Sequence, residues 1–187
     1  MNSIRNFGLV ALAALAAALA APGTASADRT CRGTISSTEI NDSVVVPPGA
    51  ACKLRDVVVI EDVVVRRNAT LDARTTEVSG DVRGQRAQAV KLRNAQVSGN
   101  VVARRGKSAS VRNSEVSGNV VFARNRRAKA ILATTVSGDV QLFNNTGRSR
   151  IADNTIIGDL LCTGNRPKPT GGNNEVIGTK ERQCRNL

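Results

Sequence analysis

Residues 97–120 read VSGNVVARRGKSASVRNSEVSGNV, so the phrase VSGNV opens at Val97 and again at Val116. It recurs as VSGDV from Val78 and from Val136, and as IIGDL from Ile156. Looser copies open at Ile40, Val59 and Val176, giving eight starts separated by 19, 19, 19, 19, 20, 20 and 20 residues. A period near 20 with β-branched residues in register marks a stack of β-coils, each repeat being one turn of a solenoid. The fold expected is all-β: a single-stranded, right-handed parallel β-helix of about eight coils, each of 19–20 residues.

The register extends beyond the phrase when its first residue is taken as position zero. Four residues on stand Val44, Val63, Val82, Val101, Val120, Val140 and Leu160, with Lys180 breaking the series. Five residues before zero stand Ile35, Leu54, Ala73, Leu92, Val111, Ile131 and Ile151. Small or branched aliphatics at a fixed phase suit the interior of a narrow β-coil, where alternate side chains of each strand point inward. Gly80, Gly99, Gly118, Gly138, Gly158 and Gly178 follow zero by two, marking a tight bend or an inward site too cramped for a side chain. Beside them Asp81, Asn100, Asn119, Asp139 and Asp159 form a column that can hydrogen-bond along the stack. A row of calcium ligands is the rival reading, but SGD and SGN lack the dense acidic ligation of calcium loops. Nine residues after zero, Asn68, Gly106, Asn125, Asn145 and Asn165 are expected in a polar turn.

Residues 1–27 carry the pattern of a secretory signal peptide. Arg5 supplies the positive start, 7–21 is an apolar run, and Ala25, Ser26 and Ala27 follow Pro22 and Gly23 as a small-residue cleavage site. The run is too short to span a bilayer. Cleavage is expected to leave 28–187 as one solenoid domain with no transmembrane segment, secreted to the extracellular space or associated with the cell wall. Four cysteines lie in that part, and Cys31–Cys52 and Cys162–Cys184 are separated by 21 and 22 residues, close to one coil. Coils stack about 4.8 Å apart and disulfides favour Cα separations of roughly 4.4–6.8 Å. These two pairings therefore staple each terminal coil to its neighbour, making 28–58 and 161–187 capping regions. The stapled caps also argue against free end-to-end polymerisation. A four-cysteine metal site suits an exported chain poorly, so no metal is expected.

The secreted part loses only Arg5, leaving 26 Lys and Arg against 15 Asp and Glu. It has no His, Trp or Tyr, and its aromatics are Phe122 and Phe143. These absences exclude Ser-His-Asp and Cys-His units, histidine metal sites and an aromatic platform for stacking bases or sugars. Eight residues after zero, Arg67, Arg86, Arg105 and Arg124 recur every 19 residues, so stacking aligns them in a column. Arg66, Arg104, Lys107, Arg126 and Arg127 flank it, with Lys129 close by. From Arg66 to Lys129 there are 15 Lys and Arg and 4 Asp and Glu, a net charge equal to that of the whole secreted part.

The Val/Gly texture of VSGDV is similar to bactofilin-type right-handed β-helices, from which export and disulfide staples depart. A closer likeness lies in 137–184, which reads SGDVQLFNNTG and then IIGDLLCTGNRPKPTGGNNEVIGTKERQC. It resembles uncharacterised secreted β-solenoid repeat proteins of actinobacteria. The resemblance implies a solenoid fold and export, and lends no catalytic residues.

Three classes of function follow. The first is a non-enzymatic structural or interaction protein of the cell envelope or extracellular space, presenting repeated side chains to an envelope protein, with its arginines as solubilising charge. The second is a binder of anionic polymers through the arginine column: an envelope polyanion, extracellular nucleic acid or an anionic membrane surface. Such binding follows charge spacing rather than base sequence. The third is an enzyme, since β-helices host polysaccharide lyases and hydrolases. Asp72, Glu77, Asp81 and Glu115 are few and scattered, however, and the short coils lack loops to wall a cleft. No catalytic residues and no cofactor are expected.

Overall fold

The computed structural model describes residues 28–187; the expected signal peptide over 1–27 lies outside them. The described chain is built from strands without helices and forms a parallel β-solenoid of about eight coils. One sheet has nine strands, running from Arg29–Thr30 through Val44–Val46, Val101–Arg104 and Leu160–Thr163 to Lys180–Arg182. The second has 13 strands. It begins with the long strands Gly33–Ile40, Ala51–Val59 and Thr70–Val78, then divides into pairs such as Ala89–Arg93 with Gln96–Val97. The division falls on one row, three residues before zero, where the backbone turns left-handed at Asn94 (φ 49°), Asn113 (φ 48°) and Asp153 (φ 60°). The earlier coils bend on the same row, at Asp56 and Thr75. Each coil therefore has three straight runs and three corners.

Register follows the sequence period. Val101 pairs with Val120 at 19 residues, and Val120 with Val140 at 20. The columns at zero, at plus four and at minus five point inward and are buried, with Ile35 in the first coil and Val176 in the last half-buried. Fully burying each Val or Leu contributes about 1.5–3 kcal/mol, and the interior accepts no side chain larger than Phe122. The glycine column is cramped by the neighbouring coil rather than by the interior. A β-carbon on Gly118 would lie 2.6 Å from the Gly99 carbonyl oxygen, so these corners stack backbone on backbone.

Each corner is tied to the next along the stack. The Asp/Asn column does so through its Oδ1 atoms: Asn100 N–H donates to Asp81 (2.6 Å), Asn119 N–H to Asn100 (2.9 Å) and Asp139 N–H to Asn119 (2.7 Å). At plus nine Asn68 is the exposed turn residue expected, but from Gly106 onward the row is buried and departs from that expectation. Asn125, Asn145 and Asn165 are buried and form a second ladder. Asn145 Oδ1 accepts from Asn125 N–H (2.9 Å), and its Nδ2 donates to Phe122 O (2.7 Å) and to Asn165 Oδ1 (2.9 Å). The corner turns these side chains inward, where carboxamides satisfy carbonyls that water cannot reach. Two residues before zero, Ala95 N–H donates to Ser114 Oγ, and a third ladder runs from Thr134 through Asn154 to Asn174.

The change from 19 to 20 residues is absorbed after Asn125. Gly106 N–H donates to Asn125 Oδ1, 19 residues on, whereas Ala109 pairs with Lys129 at 20. The widened corner is 126–128.

Both disulfides form as expected. Cys31–Cys52 has Cα atoms 5.5 Å apart and Cys162–Cys184 5.3 Å, and all four cysteines are buried in the core. Two such bonds suit an oxidising environment outside the cytosol. At the C-terminal end a short turn closes over the stack, with Leu187 N–H donating to Cys184 O (3.1 Å) and Leu187 packing on the core.

Candidate anion-binding site

The site is built on the corner that follows the nine-stranded sheet. As each strand leaves the sheet, its last residues turn through the row eight after zero, where three arginines follow one another. Arg86, Arg105 and Arg124 all have left-handed backbones, with φ of 56°, 57° and 56°. They are held coil to coil by Arg86 N–H to Arg104 O, Arg105 N–H to Ala123 O and Arg124 N–H to Phe143 O, at 2.8–2.9 Å. Arg67 stands one coil earlier, but there the left-handed residue is Asn68 (φ 58°). The predicted column of four is thus three arginines in one geometry and a fourth on a different turn. A side chain in the left-handed region costs roughly 1–2 kcal/mol unless it is Gly, Asn or Asp. The same row holds Asn144 and Gly164 in the later coils, so the arginines occupy positions where those residues are at home.

Arg67, Arg86, Arg105 and Arg124 are all exposed, as are Arg66, Arg104, Arg126 and Arg127; Lys107 is half-buried. Among the described residues the ion pairs are Arg55–Asp72, Arg74–Asp72, Arg83–Asp62 and Arg83–Asp81, so no carboxylate neutralises any of these nine. Guanidinium heads one coil apart repel by about 1 kcal/mol per pair in water, and by more beside a low-dielectric surface.

The arginine row is a ridge between two grooves. On the sheet side lies a groove of about 1160 Å³, with Val64, Val102 and Val121 in its lining and Gln141, Phe143 and Asn144 at its far end. On the other side is one of about 640 Å³, reaching Lys107, Arg126 and Thr146. All four column arginines line both. The grooves bring the predicted residues together except Arg127, which lines neither.

Two basic residues behave differently from the rest. Arg83, which sequence reasoning passed over as a site residue, lies in the larger groove. Its guanidinium is held by Asp62 and Asp81, each at 2.7 Å, and these bonds raise its pKa further. Partial burial would raise the Asp81 carboxyl. The Asn100 backbone amide and Arg83 outweigh it and hold Asp81 below the usual carboxylate range. Lys129, counted with the basic surface from sequence, is buried. Its ammonium turns under the widened corner and donates to the carbonyls of Arg127 (2.6 Å), Thr146 and Gly147 (3.0 Å). Burial pushes it down to about 8, while its three acceptors favour the charged form.

The four carboxylates of this region do not converge. Asp72 is engaged by Arg55 and Arg74, and Asp81 by Arg83. Glu77 and Glu115 flank Gln96 on one row, two coils apart. Among the described residues no three His, Cys, Asp or Glu side chains come together as a metal site. No family model, curated protein or solved structure matches the chain.

Proposed function

We propose that the protein is a secreted, non-enzymatic interaction rod that holds an anionic polymer along its arginine row. The observation that carries this reading is the run Arg86, Arg105 and Arg124. Three unpaired guanidiniums are carried on left-handed backbone in successive coils, where Asn or Gly would fit without strain. Left-handed backbone also falls at the corner residues Ser37, Thr75 and Ala133, so the strain belongs to the corners in general; this row differs in carrying an unpaired charge in each of three successive coils. A polyanion laid along the row relieves the repulsion between the heads and releases its own counterions. The engaged state of Asp72 and Asp81 supports a non-enzymatic role, and the disulfides support export. A protein partner in the cell envelope is the second reading, favoured by the exposed Ile157 and Ile177, which stand in one row on the last two coils.

Binding of long-chain polyphosphate at about 50 and then about 200 mM salt tests the first reading. The expected result is a steep loss of affinity with salt, and loss of binding when Arg67, Arg86, Arg105 and Arg124 are all changed to Gln. Weak binding of equal strength by both proteins overturns it and turns attention to the isoleucine row.

A further inference from the structure

Resting on that anion-binding reading, we infer that the larger groove takes a linear acidic polysaccharide of the polyuronate class, one sugar ring to each coil. Three features restrict the polymer beyond its charge. The cationic wall repeats once per coil, at about 4.8 Å, in one geometry over Arg86, Arg105 and Arg124, with Arg67 extending it from a different turn. The lining is aliphatic at Val64, Val102 and Val121, so a chain lying there must offer C–H surface as well as anions. Arg83, between Val64 and Val102 in the stack, is already paired with the two carboxylates of Asp62 and Asp81, which leaves the free positive charge on the wall. Gln85 and Gln141 share the lining; Gln141 Nε2 donates to Asp139 Oδ2 (3.2 Å), which leaves its carbonyl oxygen as an acceptor for hydroxyl groups, while Gln85 offers a whole carboxamide.

A uronate ring meets each requirement. It carries one carboxylate, which a guanidinium can grip with two parallel hydrogen bonds. Linked head to tail, its length is comparable with the coil spacing, and it presents ring C–H faces and free hydroxyls. Polyphosphate has denser charge and no C–H face. Single-stranded nucleic acid would leave its bases without stacking partners, since Phe143 alone among the lining residues is aromatic. A bilayer surface presents its anions in a plane and would engage the ridge without entering the groove.

The test compares binding of the oxidised protein to polygalacturonate, its fully methyl-esterified form, polyphosphate, oligo(dT) and phosphatidylglycerol vesicles, at about 150 mM salt and matched anion concentration. Polygalacturonate is expected to bind about tenfold tighter than the other anions, and esterification to abolish binding. Changing Val102→Thr together with Val121→Thr should weaken polygalacturonate several-fold and leave polyphosphate unchanged. Both replacements are near-isosteric; a melting curve checks folding, and Val102→Thr alone replaces the pair if the double variant does not fold. Polygalacturonate binding no tighter than the other probes, with the arginine dependence intact, overturns the polyuronate inference and leaves the anion-binding reading standing. Absence of arginine-dependent binding to any probe overturns both.

Discussion

The coils opening at Val78 and Val97 and those opening at Val136 and Ile156 share strands, core columns and register, but they fill the same corner differently. In the earlier pair the left-handed position is Arg86 or Arg105, and the next position inward is Ala87 or Gly106. In the later pair the left-handed position is Asn144 or Gly164, and the next is the buried Asn145 or Asn165. The later coils give the corner the residues its geometry prefers and add a ladder of carboxamides. The earlier ones hold arginine on a strained backbone and carry no carboxamide of their own at the next position. At Gly106 a β-carbon would lie 2.7 Å from Ala87 O, so the ladder cannot simply be extended toward the start of the stack. The coil opening at Val116 carries both Arg124 and Asn125 and marks the boundary. One architecture thus divides its work, with local stabilisation in the last coils and presented charge in the middle.

The largest expected effect separates the two halves by stability. Asn145→Ala removes the acceptor for Asn125 N–H and the donors to Phe122 O and Asn165 Oδ1. Asn165 Oδ1 keeps the Asn145 backbone N–H (3.1 Å), so two buried groups are orphaned at about 1–3 kcal/mol each. The cavity left by a fully buried side chain adds to this, and the variant should lose about 3 kcal/mol or more in urea unfolding. Ser114→Ala, in a middle coil, removes one hydroxyl that accepts from Ala95 N–H and donates to Arg112 O. It should cost about 1–2 kcal/mol. Equal losses in the two variants would break the contrast.

The disulfides sharpen it at the ends. Removing either bond, by Cys31→Ser with Cys52→Ser or by Cys162→Ser with Cys184→Ser, should cost about 2–4 kcal/mol. Protection against amide exchange should then fall first in the terminal coil that lost its staple, because neighbouring repeats are coupled chiefly to one another. Simultaneous loss of protection in every coil would show that the stack melts as one unit.

Lys129 sits where the two coil lengths meet, and its prediction is one of pH. Its folded pKa, about 8, lies below the ordinary value of about 10.4 for an unfolded chain. Between those values the unfolded chain holds more protons, so stability rises with pH across that window and the cost of burying the charge is felt in full below it. The difference in urea midpoint between the protein and Lys129→Met should therefore move in favour of the protein from pH 8 to pH 10. A flat difference would mean that the three carbonyls hold the ammonium at its ordinary pKa.

Most of the stack is legible in the chain, because a narrow interior admits only aliphatics at fixed phase. The columns through Val101, Val116 and Val111 are those the period implies, and the cysteine spacing gives both staples. The corners are harder. Asn145 has the composition of a surface turn, and its burial depends on the residues of adjacent coils rather than on its own neighbours in sequence. Lys129 looks like one more basic residue; its inward turn follows from carbonyls exposed by a single added residue. The groove lining did leave a signal, since three consecutive valines at Val63–Val65 put an aliphatic on the outward phase of a strand. The arginine row is visible as a period of 19, but nothing in the local sequence says that its backbone is left-handed.

That hidden strain leads to the smallest effect in stability and the most direct test of how the two halves differ. Arg105→Asn gives a middle coil the residue that Asn144 supplies in a later one. Asn tolerates the left-handed region, so the variant should gain about 1 kcal/mol, and the lost like-charge neighbours add to the gain. For a domain of this size that is a rise of about 2–4 °C in Tm. The same change should weaken polyphosphate binding and flatten its salt dependence by about one counterion. Stability gained while binding is lost is the trade expected where a residue is kept for function. If Arg105→Asn instead lowers Tm, the guanidinium supports the corner itself, and the middle coils are as locally optimised as the last ones.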